Sequence, residues 1–308
     1  MNPIRLFRKQ FHFAVFFFLL QFSFGQYAVE FDGVDDYIEI QDASFDGDPS
    51  GTLTYIAKLS DDGVSYVFSG GDGGGGLAFN IWPEGDQVGI QQLYRGGAPA
   101  QTFSGHAIDL NQWYHLAYVS QGAGYPYEVY INGVKLNNEP SSGGEFIEGD
   151  WFSDVGGNQT SWIGKARSTS LFTTGIVDDI QVWDHPLTQG EIQSRMYLQL
   201  DPSTEGGLAA YYQFNDPTDQ TAYDTASSND GVIEGPVYTD DIPPDASVVV
   251  GCTNPIASNY NPELFNDDGS CDYQGNYSLY LDGVDDYVNI PIASFDNDPT
   301  GTLILWAN

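Results

Sequence analysis

Apolar positions recur every second residue in short runs along residues 27–238, and clusters of Gly, Asn, Asp and Pro separate the runs. A period of two puts alternate side chains on opposite faces of an extended chain, so these runs predict strands with one buried face. Their number predicts an all-β antiparallel sandwich. The runs are Tyr27–Phe31, Tyr37–Ile40, Leu53–Leu59, Tyr66–Ser69, Leu77–Trp82, Val88–Leu93, Trp113–Ser120, Tyr127–Ile131, Val134–Leu136, Ser161–Gly164, Gly175–Trp183 and Leu208–Phe214. Asn132-Gly133 supplies the left-handed pair that a two-residue hairpin turn requires. Gly70–Gly76 is so rich in glycine that it predicts a loop. The one helical stretch lies around Leu187–Met196, where Thr188 and Glu191 form the pattern of a capping box.

The stretch Phe31-Asp32-Gly33-Val34-Asp35-Asp36-Tyr37 returns as Leu281-Asp282-Gly283-Val284-Asp285-Asp286-Tyr287. Tyr27–Ala57 aligns with Tyr277–Ala307 without a gap, and 18 of the 31 pairs are identical. A repeat this widely spaced predicts two copies of a domain rather than a solenoid. The expected organisation is a signal peptide at 1–25, a jelly-roll sandwich at 26–238, a linker with a small cysteine-bracketed module at 239–274, and at 275–308 the start of a second copy, cut off at Asn308.

Residues 1–25 carry Arg5, Arg8 and Lys9 before an apolar run from Phe11 to Phe22, then Ser23-Phe24-Gly25. That is the pattern of a secretory signal, and the run is short for a membrane span. The predicted location is therefore secreted or cell-surface, with an uncleaved anchor as the alternative. Without that segment, 43 acidic residues face 6 basic ones, a formal charge of −37. Such a surface lacks the cations that nucleic acid demands, and it suits a medium rich in salt or divalent cations. Cys252 and Cys271 allow a single disulfide, which the secretory context permits. A loop of about 20 residues closed this way would gain roughly 3 kcal/mol in the chain-entropy picture.

Several stretches together resemble the laminin-G-like, or concanavalin A-like, jelly-roll family in its bacterial, pentraxin-like form. They are the Asp32-Gly33-Val34-Asp35-Asp36-Tyr37 opening, Trp113-Tyr114-His115-Leu116-Ala117, Val129–Gly133, Ile163-Gly164, Gly175–Trp183, Pro186–Ile192, Leu208–Asn215 and Asp224–Gly231. The ordered set carries the resemblance over 27–238. Thr54–Lys58 departs from it, since the family usually has a Trp on that strand. The cysteine-bracketed stretch resembles a module found between domains of secreted Bacteroidetes proteins.

The resemblance implies a non-catalytic binding module for a glycan or an extracellular protein. It also implies a structural Ca2+ between the first strand's turn and a late strand, with Asp32, Asp35 and Asp178 or Asp179 as ligands. Turn formation is the competing role for these acids, because Asp bonds its own backbone two residues on. Trp82, Tyr94, Trp151 and Trp162 are the candidate platforms for sugar rings, against a role in packing. Glycoside hydrolysis needs two flanking carboxylates. The nearest approach to such a signature, Glu145–Asp150, lies in a predicted loop and lacks the downstream acid. His115 is expected in the core, and His106 and His185 in loops. A structural or adhesin repeat, or an accessory domain of a larger glycoside hydrolase, are the competing functions.

Overall fold

The computed structural model describes residues 27–71, 76–92, 100–104, 108–136, 141–142, 149–155, 160–166, 171–244, 250–251 and 266–267. In chain order the strands are β1 (Ala28–Asp32), β2 (Tyr37–Gln41), β3 (Gly51–Leu59), β4 (Ser65–Gly71), β5 (Gly76–Trp82), β6 (Gln87–Gln92) and β7 (Ala100–Ser104). β8 (Tyr114–Ser120), β9 (Glu128–Ile131), β10 (Val134–Lys135), β11 (Ser141–Ser142), β12 (Thr160–Ile163) and β13 (Thr174–Trp183) follow. Helix α1 (Gln189–Arg195) precedes β14 (Leu208–Tyr212), β15 (Thr221–Ala222), β16 (Gly231–Glu234) and β17 (Val237–Thr239). Each predicted run is met by a strand, with ends shifted by one or two residues. β7, β11, β15, β16 and β17 are short and carry too little alternation to stand out in the sequence.

Two antiparallel sheets face each other. One runs β10-β9-β8-β3-β13-β1-β17, with β14 also against β13; the other runs β11-β7-β6-β5-β4-β12-β2-β16-β15. The Asn132-Gly133 turn forms as expected, with φ of 49° and 71°. β13 has β3 along one side and two neighbours in series along the other. β1 pairs with Thr174–Val177 and β14 with Ile180–Trp183. At the junction the β3 register also slips, between Asp178 and Gln181, so that β13 bulges there.

The main core fills the space between the sheets. Phe45, Phe68, Phe79, Trp151 and Phe152 pack there edge-on or tilted, with Trp151 and Phe152 centroids 4.9 Å apart. Tyr55, on the strand where the resemblance expects a Trp, stacks on Tyr118 at 5.9 Å, their phenols 3.1 Å apart. A second cluster, including Trp183, Leu187, Ile192, Leu208 and Tyr211, covers the outer face of the first sheet. β13 is thus buried on both faces, with Val177, Ile180 and Val182 inward and Ile176 and Trp183 outward.

Thr188 accepts from Glu191 N–H while Glu191 accepts from Thr188 N–H, which completes the capping box. Thr188→Ala should cost about 1 kcal/mol and lower the melting temperature by about 2–4 °C. A thermal melt checks this, and an unchanged midpoint would show that water caps α1 equally well.

Segment 240–242, read from sequence as linker, lies against the first sheet. Lys58 pairs with Asp241, and Ile242 packs on the cluster of Ile56, Trp113 and Met196. Val250–Gly251 pairs in parallel with Asn266–Asp267. Cys252, Cys271 and the second copy lie outside the described residues, as does the predicted signal segment. Among the described residues no helix is long and apolar enough to cross a membrane.

Candidate functional site

The turn between β1 and β2 is built by Asp32-Gly33-Val34-Asp35-Asp36. Gly33 takes φ +78°, and a Cβ there would fall 2.0 Å from Thr174 Oγ1, so both conformation and space demand glycine. Val34 N–H donates to Asp32 Oδ1 at 2.7 Å, and Asp32 N–H donates to Asp36 Oδ2 at 2.8 Å. This arrangement gathers one carboxylate oxygen from each of Asp32, Asp35 and Asp36 within 4.8 Å of one another. Asp36 is buried, and burial first, then the neighbouring Asp32 and Asp35 charges, raise its pKa.

Asp178 and Asp179 do not join that group, contrary to the expected ligand set. Asp32 pairs with Thr174, and four residues of strand, about 13 Å, separate Thr174 from Asp178. Both acids sit in the β13 bulge and both are buried. Asp179 has φ +52°, and its carboxylate accepts from the Tyr211 phenol and from Gln181 Nε2 at 2.9 Å. Asp178 Oδ1 accepts from Asp179 N–H at 2.8 Å. Burial pushes Asp179 up to about 7; burial, then the Asp179 charge, raises Asp178 well above the usual carboxylate range. Of the residues expected together, Asp32 and Asp35 converge, and Asp36 rather than Asp178 or Asp179 joins them, because the turn brings these three together.

The four aromatic candidates divide. Trp151 is fully buried against Phe79 and Phe152, so it is a core residue and presents no ring to a ligand. Trp162 is 8% exposed; its Nε1 donates to Glu39 at 3.3 Å, and the Lys165 ammonium lies 5.3 Å from its ring. Trp82, half-buried, is packed so that a Cβ on Gly85 would meet its ring at 2.6 Å. Tyr94 lies outside the described residues, as do His106 and Glu145–Glu148. His115 is buried, as expected, and burial lowers its pKa to about 3. His185 is half-exposed beside Asp184.

A recess of about 140 Å³ opens between the end of β14, β15 and β17. Phe214, Asn215, Asp216, Thr221, Tyr223 and Tyr238 are among its walls. Tyr223 is 42% exposed and donates its phenol to Asp219 Oδ2 at 2.7 Å. Tyr27 meets Tyr238 edge-on at 6.3 Å and so fixes its ring. Burial, then the Asp216 and Asp219 charges, push the Tyr238 phenol up to about 12. Phe214 takes φ +51°, a left-handed conformation that a bulky residue adopts only when its surroundings impose it. Sequence reasoning passed over these residues and Asp36. The one available signal was Tyr interspersed with Asp and Thr through 211–225.

No curated protein sequence matches the chain. A Bacteroides ovatus protein, whose name offers it as a candidate carbohydrate-binding protein, is similar in structure at 18% identity with a TM-score of 0.51. That similarity covers 70% of this chain and 60% of the other, so the chain spans about three-fifths of that protein's length. The SAP-like pentraxin of Limulus polyphemus matches at 15% identity and a TM-score of 0.45, over 69% of this chain and 94% of the pentraxin. A carbohydrate-binding module (CBM40) of the Ruminococcus gnavus IT-sialidase matches at 14% identity and a TM-score of 0.42, over 54% of this chain and 95% of the module. The family profile of the concanavalin A-like lectin/glucanases superfamily, in its third laminin-G form, matches residues 32–193. Match and two-sheet sandwich agree: the chain belongs to the concanavalin A-like lectin/glucanase superfamily.

Proposed function

We propose that residues 26–238 form a non-catalytic, glycan-binding module of a secreted or cell-surface protein, and that a calcium ion braces its β1–β2 turn. The observation that carries the reading is superfamily membership, on a sandwich that gathers three carboxylates at one turn. The name of the similar Bacteroides ovatus protein supports the ligand class.

The donor set fits the ion. Calcium takes oxygen ligands, carboxylates above all. Asp32, Asp35 and Asp36 offer three oxygens within 4.8 Å, and the burial that raises the Asp36 pKa is the cost a cation would offset. Bound there, calcium would offset two of the cluster's negative charges. Asp32 and Asp36 hold the turn through their backbone bonds, and Gly33 lets it lie against Thr174.

Millimolar calcium added to the metal-stripped chain should raise its melting temperature by about 5 °C or more, as expected for an ion that binds only the native state. Asp32 and Asp36 make the turn's carboxylate–backbone bonds, so Asp35→Asn should leave the apo melt in place and abolish the shift. An identical midpoint with calcium and with chelator would make these acids turn-formers only. Binding on a glycan array, blank for the heat-unfolded chain, tests the ligand class.

A further inference from the structure

We infer that the recess beside Tyr223 and Tyr238 is a subsite for one neutral, hydroxylated sugar ring, and that the module rejects carboxylated and sulfated sugars. The inference rests on the glycan-binding reading and gives it a place and a chemical class.

Three observations converge on the recess. First, it pairs aromatic surface with polar groups: Tyr223 is 42% exposed, Tyr238 is half-buried with its ring fixed by Tyr27, and Phe214 closes the wall. A sugar ring has an apolar C–H face and a rim of hydroxyls, and a site of this mixed character matches both. Second, Asn215 lines the recess, and its Oδ1, closed off from solvent, has no hydrogen-bond partner. A buried acceptor left without a donor is costly, and a turn of the Asn215 side chain toward the recess would let a ligand hydroxyl supply one. Third, the size is right. At about 140 Å³ the recess is smaller than the roughly 300–1,000 Å³ of pockets that engulf larger ligands, so it takes one ring, not a chain.

The charge pattern sets the class. Asp216 lines the recess and Asp219 stands beside Tyr223, so the rim offers acceptors to a donor-rich ligand. No cation among the described residues is free to receive an anion. Among the described residues Lys58 pairs with Asp241, Lys135 with Glu128 and Arg195 with Glu205, while Lys165 lies 3.4 Å over the Tyr37 ring. A carboxylate or sulfate entering the recess would meet like charge without a counterion, which costs binding energy and gives selectivity by repulsion.

The test is a titration of the calcium-loaded chain with glucose, galactose, mannose and fucose, and with glucuronic acid, N-acetylneuraminic acid and glucose 6-sulfate. Ligand-observed NMR reads the affinities. At least one neutral sugar should bind, and the three acidic ones should not. Tyr223→Ala should weaken the neutral sugar by about tenfold or more, whereas Tyr223→Phe, which keeps the ring, should stay within about threefold. Tyr125→Ala, which removes a tyrosine 62% exposed on a different loop, should change nothing. Neutral-sugar binding unaffected by Tyr223→Ala would overturn the recess and leave the glycan-binding reading standing. Binding of an acidic sugar through Tyr223 would overturn the selectivity alone. Silence from all seven sugars, with the array blank, would sink the glycan-binding reading and this inference together; silence with a positive array would overturn the single-ring subsite only.

Discussion

Asp224→Ala should lower the melting temperature of the domain by about 10 °C. The Asp224 carboxylate is buried and accepts five hydrogen bonds. Its Oδ1 receives Tyr211 N–H at 2.9 Å, Ala226 N–H at 2.9 Å and Ser227 N–H at 3.2 Å. Its Oδ2 receives Asn229 N–H at 3.1 Å and Asn229 Nδ2 at 2.8 Å. The turn it organises then ties distant elements together. Asn229 Oδ1 accepts from Ser44 N–H at 2.7 Å, Asn229 Nδ2 also reaches Ala209 O, and the Tyr212 phenol donates to Asn229 O at 2.6 Å. Truncation leaves five donors without their acceptor in a place largely closed to water. Each bond to a charged group is worth about 1.5–3 kcal/mol, but some donors would find water as the turn relaxes, so the net loss is about 3–5 kcal/mol. At about 2–4 °C per kcal/mol for a domain of this size, the shift is near 10 °C. Asp61→Ala, on an exposed loop, is the control and should change the melt little. If Asp224→Ala melted within 2 °C of the parent, water would be satisfying the turn and the carboxylate would be dispensable.

The second large effect is on pH. Asp178 and Asp179 have folded-state pKa values raised above those of the unfolded chain, Asp179 to about 7. A carboxyl of this kind favours the fold fully below about pH 4, and its contribution is lost as pH rises towards 7. For Asp179 that loss is on the order of 4 kcal/mol. His115 acts in the opposite sense. Its folded pKa, lowered to about 3 against an ordinary 6.5, gives a contribution present above 6.5 and lost as pH falls towards 3. Between about pH 4 and 6.5 the histidine offsets one of the two acids, and the second acid makes stability fall as pH rises. Urea denaturation from pH 4 to 8 should therefore find its highest midpoint near pH 4–5. Asp178→Asn keeps an oxygen for Asp179 N–H and removes one titration, so it should flatten the profile. A parent profile already flat from pH 4 to 8 would mean that the pair is ionised within the fold and that burial costs it nothing. The bulge explains why such a pair exists. Where β13 exchanges β1 for β14, ladder partners change, and the side chains of Asp179, Gln181, Trp183 and Tyr211 form their own chain of bonds.

What local chemistry dictates was legible along the chain. Alternation marked the long strands, Asn132-Gly133 marked its hairpin, Thr188 and Glu191 marked the helix start, and the ordered motifs marked the superfamily. Each is decided within a few residues by φ/ψ preference, capping or pleat. Even the burial of His115 followed from its match to the family's mid-domain Trp-x-His. Long-range placement was not legible. Trp151 and Tyr223 look alike as aromatics in polar stretches, yet one is in the core and the other is open to solvent, because strand order between the sheets decides which loops close inward. The adjacent pairs Asp35-Asp36 and Asp178-Asp179 carry the same residues. Only the turn between β1 and β2, and the bulge where β13 changes partners, separate a cluster of converging carboxylates from a buried pair held by phenol and amide. The sequence alone determined the elements, the sandwich class and the acidic character of the chain. Tertiary structure alone decided which carboxylates meet, which rings face solvent, and that residues 213–238 enclose a recess, since each depends on the path the backbone takes through a turn, a bulge or a loop and on how those pieces pack.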